Sequence, residues 1–114
     1  MALPELTRKL VDNKLTAYCE RRVPARVRDQ LRMSYVVRGT HVTINEERIV
    51  FNQPGTWVTI PIGQLRFDTG SGEWSLYCAD RNSRWHSYPH AKPARDIDAL
   101  LSAMDADKTG IFWG

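Results

Sequence analysis

The sequence predicts an α+β domain built from two N-terminal helices, an antiparallel meander of about five strands and one C-terminal helix. Three observations predict this order. Apolar residues recur at helical spacing over residues 1–31, alternate with polar residues over residues 33–88, and return to helical spacing after Pro93. The strands must be antiparallel because short turns link them, whereas parallel strands need long crossover connections.

The first helix is predicted from Pro4 to about Arg22. One row of apolar residues, Leu3, Leu6, Leu10 and Ala17, forms its buried side, and a second row, Val11, Leu15 and Tyr18, widens it. Pro24 ends this helix, because proline disfavours helical geometry in the residue before it. Since proline suits a first helical position, a second, short helix is predicted from Pro24 to about Leu31.

Five strands are expected between the helices, separated by turns rich in glycine and proline. They are Met33–Arg38, His41–Asn45 with Arg48–Phe51 as its continuation past a bulge, Trp57–Asp68, Glu73–Ala79 and Arg84–Tyr88. Pro61 indicates that the third strand lies at an edge or bends, because proline cannot donate to a strand ladder. The helices are expected to cover one face of the sheet and to leave the other partly in water.

The last helix is predicted from Ala94 to about Asp105, where Ile97, Leu100, Leu101 and Met104 repeat at helical spacing. After it, Gly110 is expected to reverse the chain. Phe112 and Trp113 then pack against the first or the last helix, because an aromatic pair left in water forgoes a large burial energy.

Composition predicts one domain over residues 1–114, with 42% apolar and 25% charged residues. No apolar run approaches the length of a membrane span, so no membrane partner is expected. The N-terminal residues do not have a secretion-signal pattern. We therefore expect a cytoplasmic protein in which Cys19 and Cys78 are reduced thiols.

Charge is unevenly distributed. Residues 1–38 hold nine Lys/Arg against four Asp/Glu, a net +5, whereas residues 39–114 carry a net −2. The basic segment suits a polyanion, a solvated face, or an acidic surface of this or another copy. The candidate nucleic-acid contacts are Arg21, Arg22, Arg26, Arg28 and Arg84, with help from aromatic residues of the sheet. One of Arg21 and Arg22 is predicted to pair with a carboxylate of the sheet or last helix, with Asp80 as a candidate.

No motif predicts a metal, a cofactor or a reaction. Asp105-Ala-Asp107 imitates the start of a calcium loop, but the twelfth-position carboxylate is missing. His86 and His90, with Cys78 and Cys19, lack the spacing of a zinc site. Phosphate-binding and nucleophile-elbow motifs are also missing, so the sequence gives no support for an enzyme.

Four segments resemble the bacterial domain-of-unknown-function family 3024. They are Cys19-Glu-Arg-Arg-Val-Pro24, Arg28-Asp-Gln-Leu-Arg32, Asp80-Arg-Asn-Ser-Arg-Trp-His86 and Asp107-Lys-Thr-Gly-Ile-Phe-Trp-Gly114. The resemblance covers nearly the whole chain, and the ending is its most specific part. It implies a compact bacterial protein of about this length, and it implies no activity, substrate, cofactor or site.

Two classes of function follow from these observations. The first is a non-catalytic interaction module that associates with itself or with a protein partner, because few helices are available to cover an aromatic-rich sheet. The second is a nucleic-acid-binding protein that uses the basic N-terminal segment together with sheet aromatics.

Overall fold

The computed structural model describes residues 1–113 and places five strands between two α-helices. In chain order the elements are α1 (Glu5–Arg22), β1 (Leu31–Arg38), β2 (His41–Ile49), β3 (Trp57–Asp68), β4 (Glu73–Ala79), β5 (Trp85–Ser87) and α2 (Ile97–Ala106). All strand pairs are antiparallel and the strands lie in sequence order across one sheet. The predicted α+β class and five-stranded antiparallel meander are confirmed.

The predicted second helix over residues 24–31 is wrong. Only a single 3-10 turn, Ala25–Val27, forms there. A segment this short is too brief to propagate a helix. Arg28 instead turns back and donates from Nη2 to the Glu20 carbonyl, 3.0 Å away, near the end of α1. Leu31 already belongs to β1, so the chain has one N-terminal α-helix.

The buried side of α1 is not the row predicted to be the main one. The helix buries Val11, Leu15 and Tyr18, the row expected only to widen the stripe. Leu6, Leu10 and Ala17 are exposed. The row at positions 11, 15 and 18 follows helical spacing equally well, and the direction in which the sheet lies decides between them.

The predicted bulge lies in β3 rather than in β2, which runs unbroken to Ile49. Ile44 pairs with Gly63, whereas the next residue, Asn45, pairs with Pro61, so Ile62 is the extra residue. The predicted bounds of β3 and β4 are confirmed, and β5 is shorter than expected. The prediction that Pro61 marks an edge or a bend is confirmed, because the bulge lies there and β4 pairs only with residues 63–68 of β3.

Both helices pack on one face of the sheet around a common core. At Gly63 a Cβ atom would lie 2.9 Å from Met104 Cε, so β3 approaches α2 closely. Lys14 of α1 donates to Asp96 at 2.9 Å and to Asp98 at 2.6 Å, which ties α1 to the start of α2. No helix within residues 1–113 is both long and apolar enough to cross a membrane.

The predicted docking of the C-terminal residues is confirmed. Phe112 is buried and its ring lies 4.9 Å from that of Tyr88. The half-buried Trp113 donates from its indole to the Met104 carbonyl at 2.9 Å. Asp107 accepts the backbone N–H groups of Phe112 and Trp113 at 3.1 and 2.8 Å, which fixes the turn after α2.

Candidate interaction surface

Residues 46–61 form an arm of the sheet, where β2 and β3 continue past the end of β4, and residues 58–61 of β3 are exposed there. β3 has 12 residues, about 40 Å of extended chain, but β4 pairs only with its second half. Residues 57–61 of β3 therefore have β2 on one side and, within residues 1–113, no strand on the other. The arm contributes to the elongated shape of the molecule, whose longest dimension is 47 Å.

Backbone hydrogen bonds establish which groups of the arm face the open edge. Val50 N–H donates to the Thr56 carbonyl at 2.7 Å, so the backbone N–H and C=O groups of Thr56 point toward β2. Because these backbone groups alternate sides along an antiparallel strand, those of Val58 and Ile60 also point toward β2. The N–H and C=O groups of Trp57 and Thr59 therefore point outward, as does the Pro61 carbonyl. Pro61 has no N–H to lose on that side, which explains why proline is accepted there.

Apolar side chains flank this open edge. Val58 and Ile60 of β3 pair with Arg48 and Glu46 of β2. Their side chains lie on the face of the sheet that the helices cover elsewhere, yet they are 45% and 43% exposed. At the tip of the arm Phe51 is 88% exposed. Monomeric proteins seldom leave adjoining apolar side chains in water without an interaction to form.

Next to the tip lies an open groove of about 750 Å³. Its apolar lining consists of Val27, Leu31, Ile49, Val50, Phe51 and Pro54. The groove extends the apolar surface of the arm onto β1 and the turn before it.

On the opposite face, Arg32 holds the start of β3 in place. Its guanidinium carbon lies 4.0 Å from the centroid of the Trp57 ring, and its Nε donates to Glu47 at 3.0 Å. This stack orders the side chain of Trp57, which is half-buried. The start of β3, the strand with the open edge, is therefore packed against β1 through Arg32.

A second arginine–aromatic stack lies on the same face of the sheet, the face opposite the helices, and nearer β4. Arg66 is 3.8 Å from the Tyr77 ring centroid and donates to Gln64 at 2.7 Å. His41 pairs with Arg66 across the strands, and burial together with that arginine lowers the pKa of His41. Cationic and aromatic groups alternate here as they do on sheets that stack nucleobases.

Three of the predicted nucleic-acid contacts make interactions within the fold. Arg21 and Arg22 both pair with Asp105 of α2, at 3.4 and 3.2 Å, and Arg22 also lies 3.8 Å from the Trp113 ring centroid. The prediction that one of these arginines pairs with a carboxylate of the sheet or the last helix is confirmed by Arg22, although the carboxylate is Asp105 rather than the candidate Asp80. The accompanying expectation that the other arginine is solvated and unpaired is wrong, because Arg21, although 62% exposed, also pairs with Asp105. Arg28 donates to two backbone carbonyls near the end of α1.

The other two predicted contacts, Arg26 and Arg84, are exposed. Arg26 lies in the 3-10 turn, and Arg84 lies in the turn before β5, where its backbone N–H donates to Asp80 at 3.0 Å. The five arginines thus belong to three segments: the end of α1, the turn that follows it and the turn between β4 and β5.

The His and Cys residues form no metal site among residues 1–113. Both cysteines are free thiols, as predicted, and burial raises the pKa of Cys19 to about 11. Burial also raises the pKa of Cys78, whose thiol points to the backbone carbonyl of His86. His86 contacts Asp80 at 2.7 Å near this cysteine. The Cys78 thiol is nevertheless a poor nucleophile, because it is buried and protonated.

Reasoning from the sequence predicted β3, and Pro61 indicated an edge or a bend in it, but the extent of the open edge over residues 57–61 was not predicted. One signal was available: no Asp, Glu, Lys or Arg occurs between Arg48 and Arg66, in a chain that is 25% charged. Edge strands are normally protected by charged residues, so this uncharged run is typical of a strand that pairs. Which part of the run remains unpaired depends on the length of β4.

Comparison with known proteins gives one match. The model of the family described as a domain of unknown function, DUF3024, matches residues 3–114. No curated protein and no solved structure matches this chain.

Proposed function

We propose that this chain, which belongs to the DUF3024 family, is a non-catalytic interaction module whose contact surface is the arm of residues 46–61. The observation that carries this proposal is the open edge at Trp57–Pro61, bordered by the exposed side chains of Val58 and Ile60. An extended segment added to such an edge gains backbone hydrogen bonds, while the flanking side chains provide selectivity.

The composition of the arm supports a protein partner, either a second copy or another chain. Charged groups are depleted at the centres of protein interfaces, because removing them from water costs free energy. Residues 49–61 of the arm have none, and its three charged residues, Glu46, Glu47 and Arg48, all lie on β2. Residues 57–61 of the arm are held in place from one side, since each pairs with β2 and Arg32 stacks on Trp57.

Affinity capture tests this proposal with two matched variants. Ile60→Lys places a charge beside the open edge, and Val36→Lys places one at a similarly exposed residue of β1, where Val36 is 41% exposed and Ile60 is 43% exposed. Proteins that are captured by the tagged wild-type chain, including untagged copies of the chain itself, should also be captured by Val36→Lys and should not be captured by Ile60→Lys. Equal recovery with both variants would contradict a role for the arm.

Nucleic-acid binding is the second candidate function. The stack of Arg66 on Tyr77 and the exposed Arg26 and Arg84 support it. Asp68 and Glu73, which pair at the end of the same strands, oppose it by adding negative charge. A gel-shift titration at low salt with single-stranded and duplex DNA and RNA tests it, because counterion release makes such binding weaken steeply with salt. No shift at micromolar protein would remove this candidate.

That the protein is bacterial and cytoplasmic remains a prediction of the sequence.

A further inference from the structure

We infer that the partner of the open edge is a second copy of this chain, paired antiparallel through β3 about a two-fold axis at Thr59. This inference rests on the proposed function, and it names the occupant and the register of the same surface. Three properties of the edge support it: the direction of its backbone groups, the symmetry of its side chains and its short length.

The backbone groups match in this register. Each Thr59 N–H donates to the Thr59 carbonyl of the other copy, and each Trp57 N–H donates to the Pro61 carbonyl of the other copy. Pro61 therefore takes part only as an acceptor, the one role that proline retains. A two-fold axis at Trp57 or at Pro61 would bring together fewer of the backbone groups that point to the open edge. An axis between two residues would place backbone groups that point to the open edge opposite groups that point to β2, so they could not bond.

The side chains are complementary in the same register. Val58 of one copy lies opposite Ile60 of the other, on the face that the helices cover elsewhere, and the axis repeats the pair with the roles exchanged. These are non-hydrogen-bonded positions, at which side chains approach most closely. On the opposite face, Trp57 lies opposite Pro61. No charged side chain of residues 57–61 has to leave water.

The length of the edge favours a closed dimer over a continuing assembly. At one end the bulge at Ile62 and the start of β4 pairing stop the ladder, and at the other end the strand begins at Trp57. Two-fold pairing uses the edge of both copies at once, so neither β3 edge remains open for a third copy. A contact centred on five residues is small beside a standard stable interface, so the dimer should be concentration-dependent.

Light scattering on the full chain, from micromolar to millimolar concentration, is the first test. The wild type should shift from the 13.1 kDa chain mass toward twice that value as concentration rises. Ile60→Lys should remain at the single-chain mass, while Val36→Lys should behave as the wild type. Far-UV circular dichroism establishes that each variant is folded.

Disulfide trapping is the second test, and it does not depend on a variant that weakens the contact. Opposed residues of a hydrogen-bonded antiparallel pair have Cα atoms about 5.5 Å apart, which a disulfide can bridge. Thr59→Cys should give a covalent dimer under mild oxidation that is absent from the wild type. Gln53→Cys, at the exposed tip of the arm, should give far less.

The outcomes separate the inference from the proposed function. A single-chain mass at every concentration overturns pairing with a second copy, and the proposed function survives that result only if capture of another protein depends on Ile60. A dimer that is unaffected by Ile60→Lys, or one that Thr59→Cys does not trap, overturns this surface and register. A dimer that Ile60→Lys abolishes and Thr59→Cys traps supports both.

Discussion

The guanidinium of Arg22 lies over the indole of Trp113, with its carbon 3.8 Å from the ring centroid. This stack joins the end of α1 to the C-terminal segment. The same arginine pairs with Asp105 at 3.2 Å, so it also binds α2. The first helix, the last helix and the residues that follow it are therefore held at one point of the molecule.

The first prediction concerns Phe112. Replacing it with Ala should lower the free energy of unfolding by roughly 3–5 kcal/mol, because a large aromatic leaves a cavity in the core. Ile111→Ala is the control, since Ile111 is 43% exposed, and it should change stability by less than about 1 kcal/mol. Urea denaturation of both variants measures the difference. Similar values for the two would contradict docking of the segment, as would an unchanged melting temperature after deletion of residues 111–114.

The second prediction concerns Asp105, which accepts the hydroxyl of the buried Tyr18 at 2.8 Å besides the two arginines. Asp105→Ala should cost roughly 1–3 kcal/mol, because it leaves that hydroxyl without its partner. Arg21→Ala should cost less than about 1 kcal/mol, since the Arg21 side chain is 62% exposed and its ion pair is screened by water. A double-mutant cycle with Tyr18→Phe isolates the hydroxyl contact. Strictly additive effects would show that the two side chains are not coupled.

The third prediction is a loss of stability at alkaline pH. Burial, and then the bond to Asp105, raises the pKa of Tyr18 above its usual 10.0. Burial raises the pKa of Tyr35, and the bond to Asp98 raises that of Lys14. A group whose pKa is raised by folding contributes stability that is present below its unfolded-state pKa and lost as pH rises beyond it. The free energy of unfolding should therefore fall above pH 10, and Tyr18→Phe should make that fall shallower. An identical pH slope in the variant would contradict the role of Tyr18.

The elements that could be predicted from the sequence were those with local signals. The bounds of β3 and β4 were predicted correctly because Asn52–Gly55 and Thr69–Gly72 are strong turn sequences that delimit them. The segment after Pro24 was predicted wrongly because a favourable first residue does not stabilise a helix of one or two turns.

Features that depend on tertiary packing were not accessible in this way. The two apolar rows of α1 have the same periodicity, and only the position of the sheet selects the row that contains Leu15. The partner of Arg22 could not be identified, because Asp105 is distant in sequence and close only after α1 and α2 pack together. The open edge at Thr59 exists because β4 ends where it does, a length that no local motif in β3 encodes.

Amide hydrogen exchange at Trp57 and Thr59 tests the central claim most directly. Their N–H groups point to the open edge, whereas those of Val58 and Ile60 bond to β2 and serve as internal controls. If two copies pair at this edge, protection at Trp57 and Thr59 should rise with protein concentration while protection at Val58 and Ile60 stays high throughout. Rapid exchange at Trp57 and Thr59 at every concentration, up to millimolar, would contradict the pairing of two copies through β3.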